Sequence, residues 1–304
     1  GRLRGGRRMK KKKKLQKRMS ALLIVILALL IFYVSVLAIL YSWGILTSLK
    51  TKNDFAFNKI AFPESWAWEN YGVVWQNFVV TSINQQGQKV ATNMFGQIFN
   101  SIMYAGVGAL ILAIVPVIVA YPTAKFPFVM SGVIYTTVLV TMTIPVIGTT
   151  PAMLRLLHAW GIYDTFFSTY IMKMSFGGMY FLIYYAAFKT LSKEYYEAAT
   201  IDGASEYRIL FTIMIPLVKT TIYTVFLIQF INLWNDYNTS LLYLPSHPTL
   251  AYGVFVMSTS NEQKLSITPV KLASGMITAI PILILFIIFR DKIMGNLTMG
   301  GVKE

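Results

Sequence analysis

The amino-acid sequence predicts an all-α polytopic membrane protein with six transmembrane helices. The chain has 304 residues, of which 56% are hydrophobic and 13% are charged, and its mean hydropathy is +0.58. Soluble domains are usually about one quarter charged, so most of this chain is expected to lie in a solvent other than water. Long uncharged stretches are the second observation. Together they exclude a soluble globular enzyme and a disordered protein.

A membrane-spanning helix needs about 20 predominantly apolar residues, because it must cross about 30 Å of hydrocarbon. The clearest stretch, ALLIVILALLIFYVSVLAILYSWGIL, carries no charge. The fourth span is the weakest, because Lys173 lies inside one of its ends, and Lys173 and Lys219 are both expected to snorkel to the membrane surface. The six spans are predicted at about residues 21–46, 97–120, 128–152, 166–188, 215–234 and 272–289.

A basic tail, residues 1–20, precedes the six-span domain, residues 21–304. The tail holds 11 of the 27 lysine and arginine residues. By the positive-inside rule it predicts a cytoplasmic N-terminus, and six spans return the C-terminus to the same side. We interpret the tail as an anchor to anionic lipid. A nucleic-acid arm is disfavoured because no aromatic residue interleaves the charges. Met9 would also serve as a natural start, which leaves residues 1–8 open as native or added sequence.

The segments predicted outside the membrane are residues 47–96, 153–165 and 235–270. The first is rich in aromatic residues, which either form a belt at the membrane interface or stack on sugar rings, and the belt is the favoured interpretation. These residues are Trp66, Trp68, Tyr71 and Trp75. The two histidines, His158 and His247, are isolated in the sequence, so no metal site is expected.

One polar stretch lies in the outer half of the fifth span and contains Gln229, Asn232, Asn235 and Asp236. In hydrocarbon such groups must face a partner helix or a water-filled cavity. The sequence is compatible with either role, as contacts between helices or as the lining of a translocation path.

Catalytic motifs are missing from the sequence. It contains no G-x-x-x-x-G-K-[ST], so it cannot hold ATP phosphates in a P-loop. The lack of cysteine excludes thiol nucleophiles, disulfides and iron–sulfur clusters. We therefore expect a non-enzymatic chain that binds no cofactor or metal of its own. If transport requires energy, another subunit must supply it.

The predicted cytoplasmic loop between the fourth and fifth spans is residues 189–217, KTLSKEYYEAATIDGASEYRILFTIMIPL. Ser192 can cap a helix whose first turn holds Glu194, where a negative charge is favourable. Ala198 and Ala199 keep one helix face thin, which allows another protein to approach closely. This pattern predicts the first helix of a docking element.

Gly203 then ends this helix by supplying the left-handed residue that a reversal of direction requires. Asp202 or Ser205 can cap the following helix, and Pro216 opens the fifth span near its first turn. The loop is therefore expected to be a rigid two-helix element that docks on another protein.

The same loop resembles the EAA loop of ABC-importer permeases. That pattern is written EAA-x3-G-x9-I-x-L-P, and the only departure is Ile215, where the pattern has Leu. The matching residues are Glu197, Ala198, Ala199, Gly203, Ile213 and Pro216.

The resemblance extends over nearly the whole chain, to the second membrane subunit of maltose-type carbohydrate importers. Lys125 is a departure, because the family pattern has Arg at this position. The segments that carry the resemblance are Asn100-Ser101, Ala124-Lys125-Phe126, Pro145, Pro151, Gly161-Ile162-Tyr163-Asp164-Thr165, Trp234-Asn235-Asp236-Tyr237 and Leu297–Lys303.

This resemblance implies the type I ABC-importer permease fold in the bacterial cytoplasmic membrane. The implied partners are a homologous second permease, two ATPase subunits that bind ATP and Mg, and an extracytoplasmic sugar-binding protein. Glu197 would bond into a cleft of the ATPase, Ala198 and Ala199 would permit close packing, and Gly203 would shape the turn. The coupling residues are Glu194, Glu197, Ala198, Ala199, Asp202, Gly203 and Pro216.

Three alternatives remain beside a sugar permease. The same family also includes importers of amino acids, peptides or phosphate, and the EAA loop alone does not exclude one of these cargoes. A secondary transporter would require charges at the membrane midplane and broken-helix repeats, and it leaves the EAA loop unexplained. A membrane enzyme would require acidic or nucleophilic sets, which the sequence lacks.

Overall fold

The computed structural model describes residues 2–84, 86–126, 128–144, 148–262 and 264–294, with side chains described between residues 21 and 289. The described residues form fifteen α-helices, two π-helical turns and one β-hairpin. The helices are α1 (Arg2–Ser48), α2 (Lys52–Phe57), α3 (Glu69–Asn77), α4 (Met94–Ser101), α5 (Gly108–Lys125), α6 (Val129–Thr143), α7 (Thr149–Ala159), α8 (Phe166–Lys173), α9 (Met179–Thr190), α10 (Glu194–Ile201), α11 (Glu206–Ile209), α12 (Ile215–Trp234), α13 (Asn238–Tyr243), α14 (Leu250–Thr259) and α15 (Thr268–Met294).

Four helical segments are long and apolar enough to cross a membrane. Two of these segments each consist of two helices joined by a π-helical turn. The turn Ile102–Val107 joins α4 to α5, and the turn Leu210–Met214 joins α11 to α12. The four segments are Ala21–Ser48, Met94–Lys125, Glu206–Trp234 and Thr268–Phe289. They contain the predicted first, second, fifth and sixth spans, and the second and fifth are longer than expected.

The predicted third and fourth spans are not single helices. Residues 128–152 contain α6, which ends at Thr143, and α7, which begins after Gly148 at φ +77°. Residues 166–188 divide into α8 and α9, which begins after Gly178 at φ +110°. Glycine adopts such backbone angles without steric cost. The apolar composition of these stretches concealed the breaks.

The all-α expectation is wrong for one short segment. Strands β1 (Val80–Ile83) and β2 (Lys89–Thr92) pair antiparallel, with Val80 opposite Thr92 and Ile83 opposite Lys89. The strands contain β-branched residues, and the turn between them contains Gly87 at φ +76°. These features favour a hairpin.

The chain divides into two compact units. The first comprises the stretch up to Gly72 together with Ile267–Met276, and the second comprises Val73–Ser266 and the residues from Ile277 onward. In the first unit, residues 21–42 of α1 are exposed all round, as expected of a helix whose solvent is lipid. Asn70 Nδ2 donates to the Ser48 and Lys50 carbonyls, both at 2.8 Å, which holds the following segment against the end of α1.

The second unit has its core where α5 packs against α9 and α12. Small buried residues of α5, including Ala113 and Ala120, let the neighbouring helices approach closely. Large side chains fill the remaining space, among them Phe181, Tyr184 and Phe188 of α9. This core includes residues of the predicted docking loop, such as Ala199, and of the predicted fifth span, such as Val225.

Candidate functional site

The predicted docking loop is folded and has regular structure. Helix α10 carries Glu194 and Glu197 in its first turn, and the hydroxyl of Ser192 accepts from the N–H of Glu194 at 3.2 Å. Both glutamates are exposed. Negative charge in a first helical turn is stabilised by the partial positive charge of the unpaired N–H groups. The sequence therefore placed this helix and its acidic end correctly.

The turn after α10 has Schellman geometry. Gly203 lies at φ +73°, its N–H donates to the carbonyl of Thr200 at 3.0 Å, and the N–H of Ala204 donates to that of Ala199 at 3.0 Å. This pair of bonds satisfies carbonyls that a helix end leaves open. Ser205 caps the next helix, since its Oγ accepts from the N–H of Arg208 at 3.4 Å. Asp202 forms the end of α10 instead, so Ser205 is the capping residue.

The two alanines of the docking loop face different ways. Ala199 is buried in the core of the second unit, with Ile209 and Met214. Ala198 is exposed. Ala199 therefore mainly packs α10 onto its own chain, whereas Ala198 is open to a partner. The reason is helical periodicity, because adjacent residues on a helix point about 100° apart.

The docking loop contains a groove of about 470 Å³. The loop also has two strongly exposed side chains, Ile201 at 86% and Tyr207 at 78%. The lining residues are Glu194, Tyr195, Ala198, Ala199, Asp202, Ala204, Arg208, Thr212 and Ile213. Apolar side chains next to acidic groups and a small exposed alanine form a surface suited to a protein partner.

Tyr196 fastens the docking loop to its surroundings. Its hydroxyl donates to Glu206 Oε1 at 2.5 Å, and its ring meets that of Phe126 edge-on with centroids 5.3 Å apart. The hydrogen bond to Glu206 raises the pKa of Tyr196. Tyr196 therefore joins the start of the second loop helix to the end of α5.

Pro216 lies in the first turn of α12, as the sequence predicts, but α12 continues a helix that starts earlier in the chain. The helix begins at Glu206 and passes through Pro216 without interruption. The turn before it is π-helical, and Ile215 donates its N–H to the carbonyl of Leu210, five residues back. Because proline has no N–H to donate, the wider turn accommodates it inside a continuous helix.

The four polar residues predicted near the outer end of this helix have different environments. Asn232 and Asn235 are exposed, and Asn235 Nδ2 donates to the carbonyl of Ile231 at 2.8 Å. Gln229 is half-buried. Asp236 is bonded within the chain, because it accepts from Tyr104 at 2.7 Å and from the Thr239 hydroxyl at 2.5 Å. Asp236 therefore has the role of contact between helices, whereas the two asparagines are exposed on the helix surface.

The partners of Asp236 were not anticipated from the sequence. Lys173 Nζ donates to Tyr104 Oη at 3.2 Å and lies 4.4 Å from the centre of its ring. The expectation that Lys173 snorkels to the surface is therefore wrong. It belongs to a network of Lys173, Tyr104 and Asp236 that joins α8, the π-helical turn Ile102–Val107 and the end of α12.

A polar cavity lies at the break between α8 and α9. It measures about 380 Å³ and contains the hydroxyls of Thr137, Thr141 and Ser175 beside the backbone of Gly177 and Gly178. Irregular backbone at membrane depth is tolerated where it lines a cavity or is covered by protein. Hydropathy gave no indication of this cavity, because its polar groups are small and scattered.

The second unit also orders the segment predicted to lie outside the membrane after α12. Asn100 Nδ2 donates to the carbonyl of Pro248 at 3.1 Å, and the N–H of Leu250 donates to Ser101 Oγ at 2.7 Å. Both side chains are buried. The Asn100-Ser101 pair, noted in the sequence for its resemblance, therefore fixes the start of α14.

His247 has a neighbour that the sequence did not suggest. Its Nδ1 lies 3.6 Å from Oδ1 of Asp164, which also accepts the N–H of Ser246 at 3.0 Å. Burial raises the pKa of Asp164, but the contacts with His247 and Ser246 outweigh it and hold this pKa below its usual value. The interaction joins two outer loops, and the described residues contain no group of three or more metal-binding side chains.

Several predicted features have no described side chains. The basic side chains of residues 2–18 belong to the helical start of α1, whose side chains are not described there. Pro145 and the segment Leu297–Lys303 lie outside the described residues.

The aromatic residues Trp66, Trp68 and Trp75 are all exposed.

A known family accounts for this combination of helices and docking loop. Residues 113–298 match the model of the binding-protein-dependent transport system inner membrane component family, and they include the docking loop and the polar end of α12. This chain belongs to that family. With its four long apolar helices it is a multi-pass membrane component of a transport system.

Curated relatives match over most of the chain. The diacetylchitobiose uptake system permease protein of Streptomyces coelicolor is 24% identical over 90% of this chain and 87% of its own length. The melibiose/raffinose/stachyose import permease protein of Bacillus subtilis is 24% identical over 85% of this chain and 89% of its own.

A solved structure agrees in fold. A chain of a bacterial ABC transporter involved in the import of the acidic polysaccharide alginate superposes with a TM-score of 0.69. The two chains are 21% identical, and the match covers 88% of this chain and 94% of the other. The fold is therefore that of an ABC-importer membrane chain.

Proposed function

We propose that this chain is the permease subunit of an ATP-driven, binding-protein-dependent importer of sugars or oligosaccharides in the bacterial cytoplasmic membrane. The observation that carries the proposal is the docking loop: an exposed acidic helix and a groove of about 470 Å³, which lead directly into the long helix Glu206–Trp234. Family membership supports the transport role. The named cargoes of the relatives, diacetylchitobiose and melibiose, raffinose or stachyose, support a sugar.

The proposed topology has six crossings. Four are the long helices, and the other two are the helix pairs α6–α7 and α8–α9. Helix α6 has 15 residues, which at about 1.5 Å per residue is shorter than the hydrocarbon layer, so the second helix of each pair must contribute. The basic tail then lies in the cytoplasm, where it anchors to anionic lipid, and the C-terminus lies on the same side.

The proposed partners follow from the division of labour in such importers. A second, homologous permease completes the path, two ATPase subunits bind ATP and Mg on the cytoplasmic side, and an extracytoplasmic binding protein delivers the sugar. The chain itself catalyses no reaction and holds no cofactor. The chain adopts two conformations. Its partners shift the populations of these conformations, because each partner binds one conformation more tightly than the other.

Coupling passes from the docking loop through one helix. The ATPase binds the exposed face of α10, with Glu197 as the charged contact and Ala198 as the point of close approach. Glu194 and Asp202 flank this contact. The helix Glu206–Trp234 has 29 residues, so it is about 43 Å long and carries movement at the loop to Asn232 and Asn235. Neutral amides such as these can form hydrogen bonds with the hydroxyl groups of a sugar.

A paired variant tests the docking role. Glu197→Ala removes an exposed carboxylate from the docking helix, whereas Glu69→Ala removes an exposed carboxylate from α3, which belongs to the opposite face in the proposed topology. We expect Glu197→Ala to lower recovery of the ATPase in a mild-detergent pull-down, and ATP-dependent uptake with it, about tenfold or more. Glu69→Ala should leave both unchanged.

The pull-down also decides between the alternatives. Mass spectrometry of the material recovered with the tagged chain should identify a P-loop ATPase and a second six-span permease. A chain recovered alone, or an ATPase retained equally by Glu197→Ala and the wild type, would contradict the docking role. Uptake assays with labelled sugar, amino acid and phosphate then separate a sugar importer from a relative with another cargo.

A further inference from the structure

Three lysines from separate parts of the second unit line one pocket. Lys125 ends α5, Lys189 lies in the last turn of α9, and Lys193 immediately precedes α10. The pocket measures about 310 Å³. Its lining residues are Thr123, Ala124, Lys125, Phe126, Ser131, Tyr185, Lys189, Leu191 and Lys193. The role of the docking loop does not account for this concentration of positive charge.

The positive charges of the pocket are not compensated by the chain. Among the described side chains, no carboxylate lies within 4.0 Å of any of the three ammonium groups. Lys125 is half-buried, and its Nζ donates to the carbonyl of Leu191 at 2.7 Å. Lys189 Nζ lies 5.7 Å from the centre of the Tyr185 ring. These contacts hold two of the ammonium groups at the pocket without neutralising them.

The start of α6 borders the pocket. Helix α6 begins at Val129, Ser131 in its first turn lines the pocket, and no side chain caps the N-terminus of the helix. The Ser131 hydroxyl donates to the Phe128 carbonyl at 2.8 Å, so the contribution of α6 is the partial positive charge of a helix start, which favours an anion. With its three lysines, the pocket has the composition of a site for a phosphate group.

The surface next to the pocket is apolar. Val129 is 93% exposed, and Met130 and Val133 are each about half exposed. These residues belong to the same helix start that borders the pocket. A ligand that combines a phosphate with a hydrocarbon chain would therefore satisfy both surfaces, whereas a soluble phosphate ester would leave the apolar one uncovered.

We propose that this lysine pocket binds the phosphate of an anionic phospholipid headgroup, with an acyl chain along the exposed start of α6. Basic pockets between membrane helices are suited to such headgroups. The bound phosphate would join the end of α5 to the junction of α9 and α10. This proposal goes beyond the transport role, because it requires only that the chain lie in a membrane.

The test measures lipid binding to the full chain in detergent micelles by native mass spectrometry. Phosphatidylglycerol, phosphatidylcholine and inorganic phosphate are the three probes. The pocket variant is Lys189→Gln/Lys193→Gln, which changes two exposed residues and leaves Lys125 in place. The charge-matched control is Lys219→Gln/Lys264→Gln, whose two lysines are exposed and lie outside the pocket.

We expect the pocket variant to bind phosphatidylglycerol about tenfold more weakly, because each lysine near a headgroup contributes measurably to affinity. The control variant should bind phosphatidylglycerol as tightly as the wild type. Phosphatidylcholine should bind weakly and equally to the wild type, the pocket variant and the control variant. Equal weakening in the pocket variant and the control would contradict the proposal. Tight binding of inorganic phosphate with no preference for phosphatidylglycerol would assign the pocket to a soluble phosphate and would also overturn it.

A photoactivatable phosphatidylglycerol locates the site and separates it from the basic tail. We expect crosslinks on peptides that contain residues 123–131 and 185–193, and their loss in the pocket variant. Crosslinks confined to residues 2–18 would assign the lipid to the tail and contradict the proposal. A pocket variant that keeps its lipid but loses the copurifying ATPase would show that the lysines contact protein, and would overturn it as well.

Discussion

Gly203 shows how a single residue determines the shape of the docking loop. At φ +73° it lets α10 reverse direction within two residues, and the Schellman bonds of the turn depend on it. The sequence predicted this glycine and a capping serine because both depend only on local backbone chemistry. It did not predict the burial of Ala199, or the partners of Lys173 and His247, since those depend on residues far away in the chain.

Gly203→Ala tests the turn against a matched glycine. A methyl group at Gly203 would meet nothing within 4 Å. The substitution should therefore lower the free energy of unfolding only through the strain of a left-handed backbone, by roughly 1–2 kcal/mol. Gly132 in α6 also has open space, but its backbone is helical, so Gly132→Ala should stabilise by about 0.5–1 kcal/mol. Thermal unfolding in detergent should separate the two variants in opposite directions. A loss of stability in both would show that the backbone of Gly203 is not the cause.

Asp164 predicts a pH dependence with a definite sign. Because its contacts hold the pKa below the usual value, the ionised carboxylate stabilises the fold. This contribution is complete above the unfolded pKa of about 3.9 and is lost as the pH falls through the folded value. The difference in unfolding temperature between the wild type and Asp164→Asn should therefore be fully present at pH 6 and should shrink below about pH 4. A difference that grows on acidification would contradict this assignment.

Among the helices, apolar length correctly predicted four of the six proposed spans as long helices, but it missed the breaks inside the other two. Hydropathy averages over about 19 residues, so it does not register one left-handed glycine such as Gly148 or Gly178. The same averaging concealed the π-helical turns and the short hairpin. The interrupted stretch between α8 and α9 nevertheless carries the polar cavity and the network around Tyr104.

Tyr104→Phe tests that network as a connection between elements. The substitution keeps the ring and removes the hydroxyl that donates to Asp236 and accepts from Lys173. Loss of a hydrogen bond to a charged group should cost about 1.5–3 kcal/mol and lower the unfolding temperature in detergent. Tyr41→Phe, at an exposed position of α1, is the control and should have no effect. Equal stability of both variants would mean that the network does not hold these helices together.

At the scale of the whole molecule, the docking loop and the polar end of α12 are the two ends of one helix. In the proposed mechanism, movement at the loop reaches Asn232 and Asn235 along this helix, which is interrupted only by the π-helical turn Leu210–Met214. The family and the fold could be predicted from the EAA pattern and its place between two spans. The identity of the sugar could not be predicted, because it depends on which side chains from distant parts of the sequence come together.

The most direct test of the central claim is uptake by proteoliposomes that contain the complex recovered with this chain. We expect labelled oligosaccharide to accumulate only when both ATP and the sugar-binding protein are present. Glu197→Ala should lower this accumulation about tenfold or more, and Glu69→Ala should leave it unchanged. Accumulation by the chain alone, without ATP and driven by an ion gradient, would contradict the account and identify a secondary transporter.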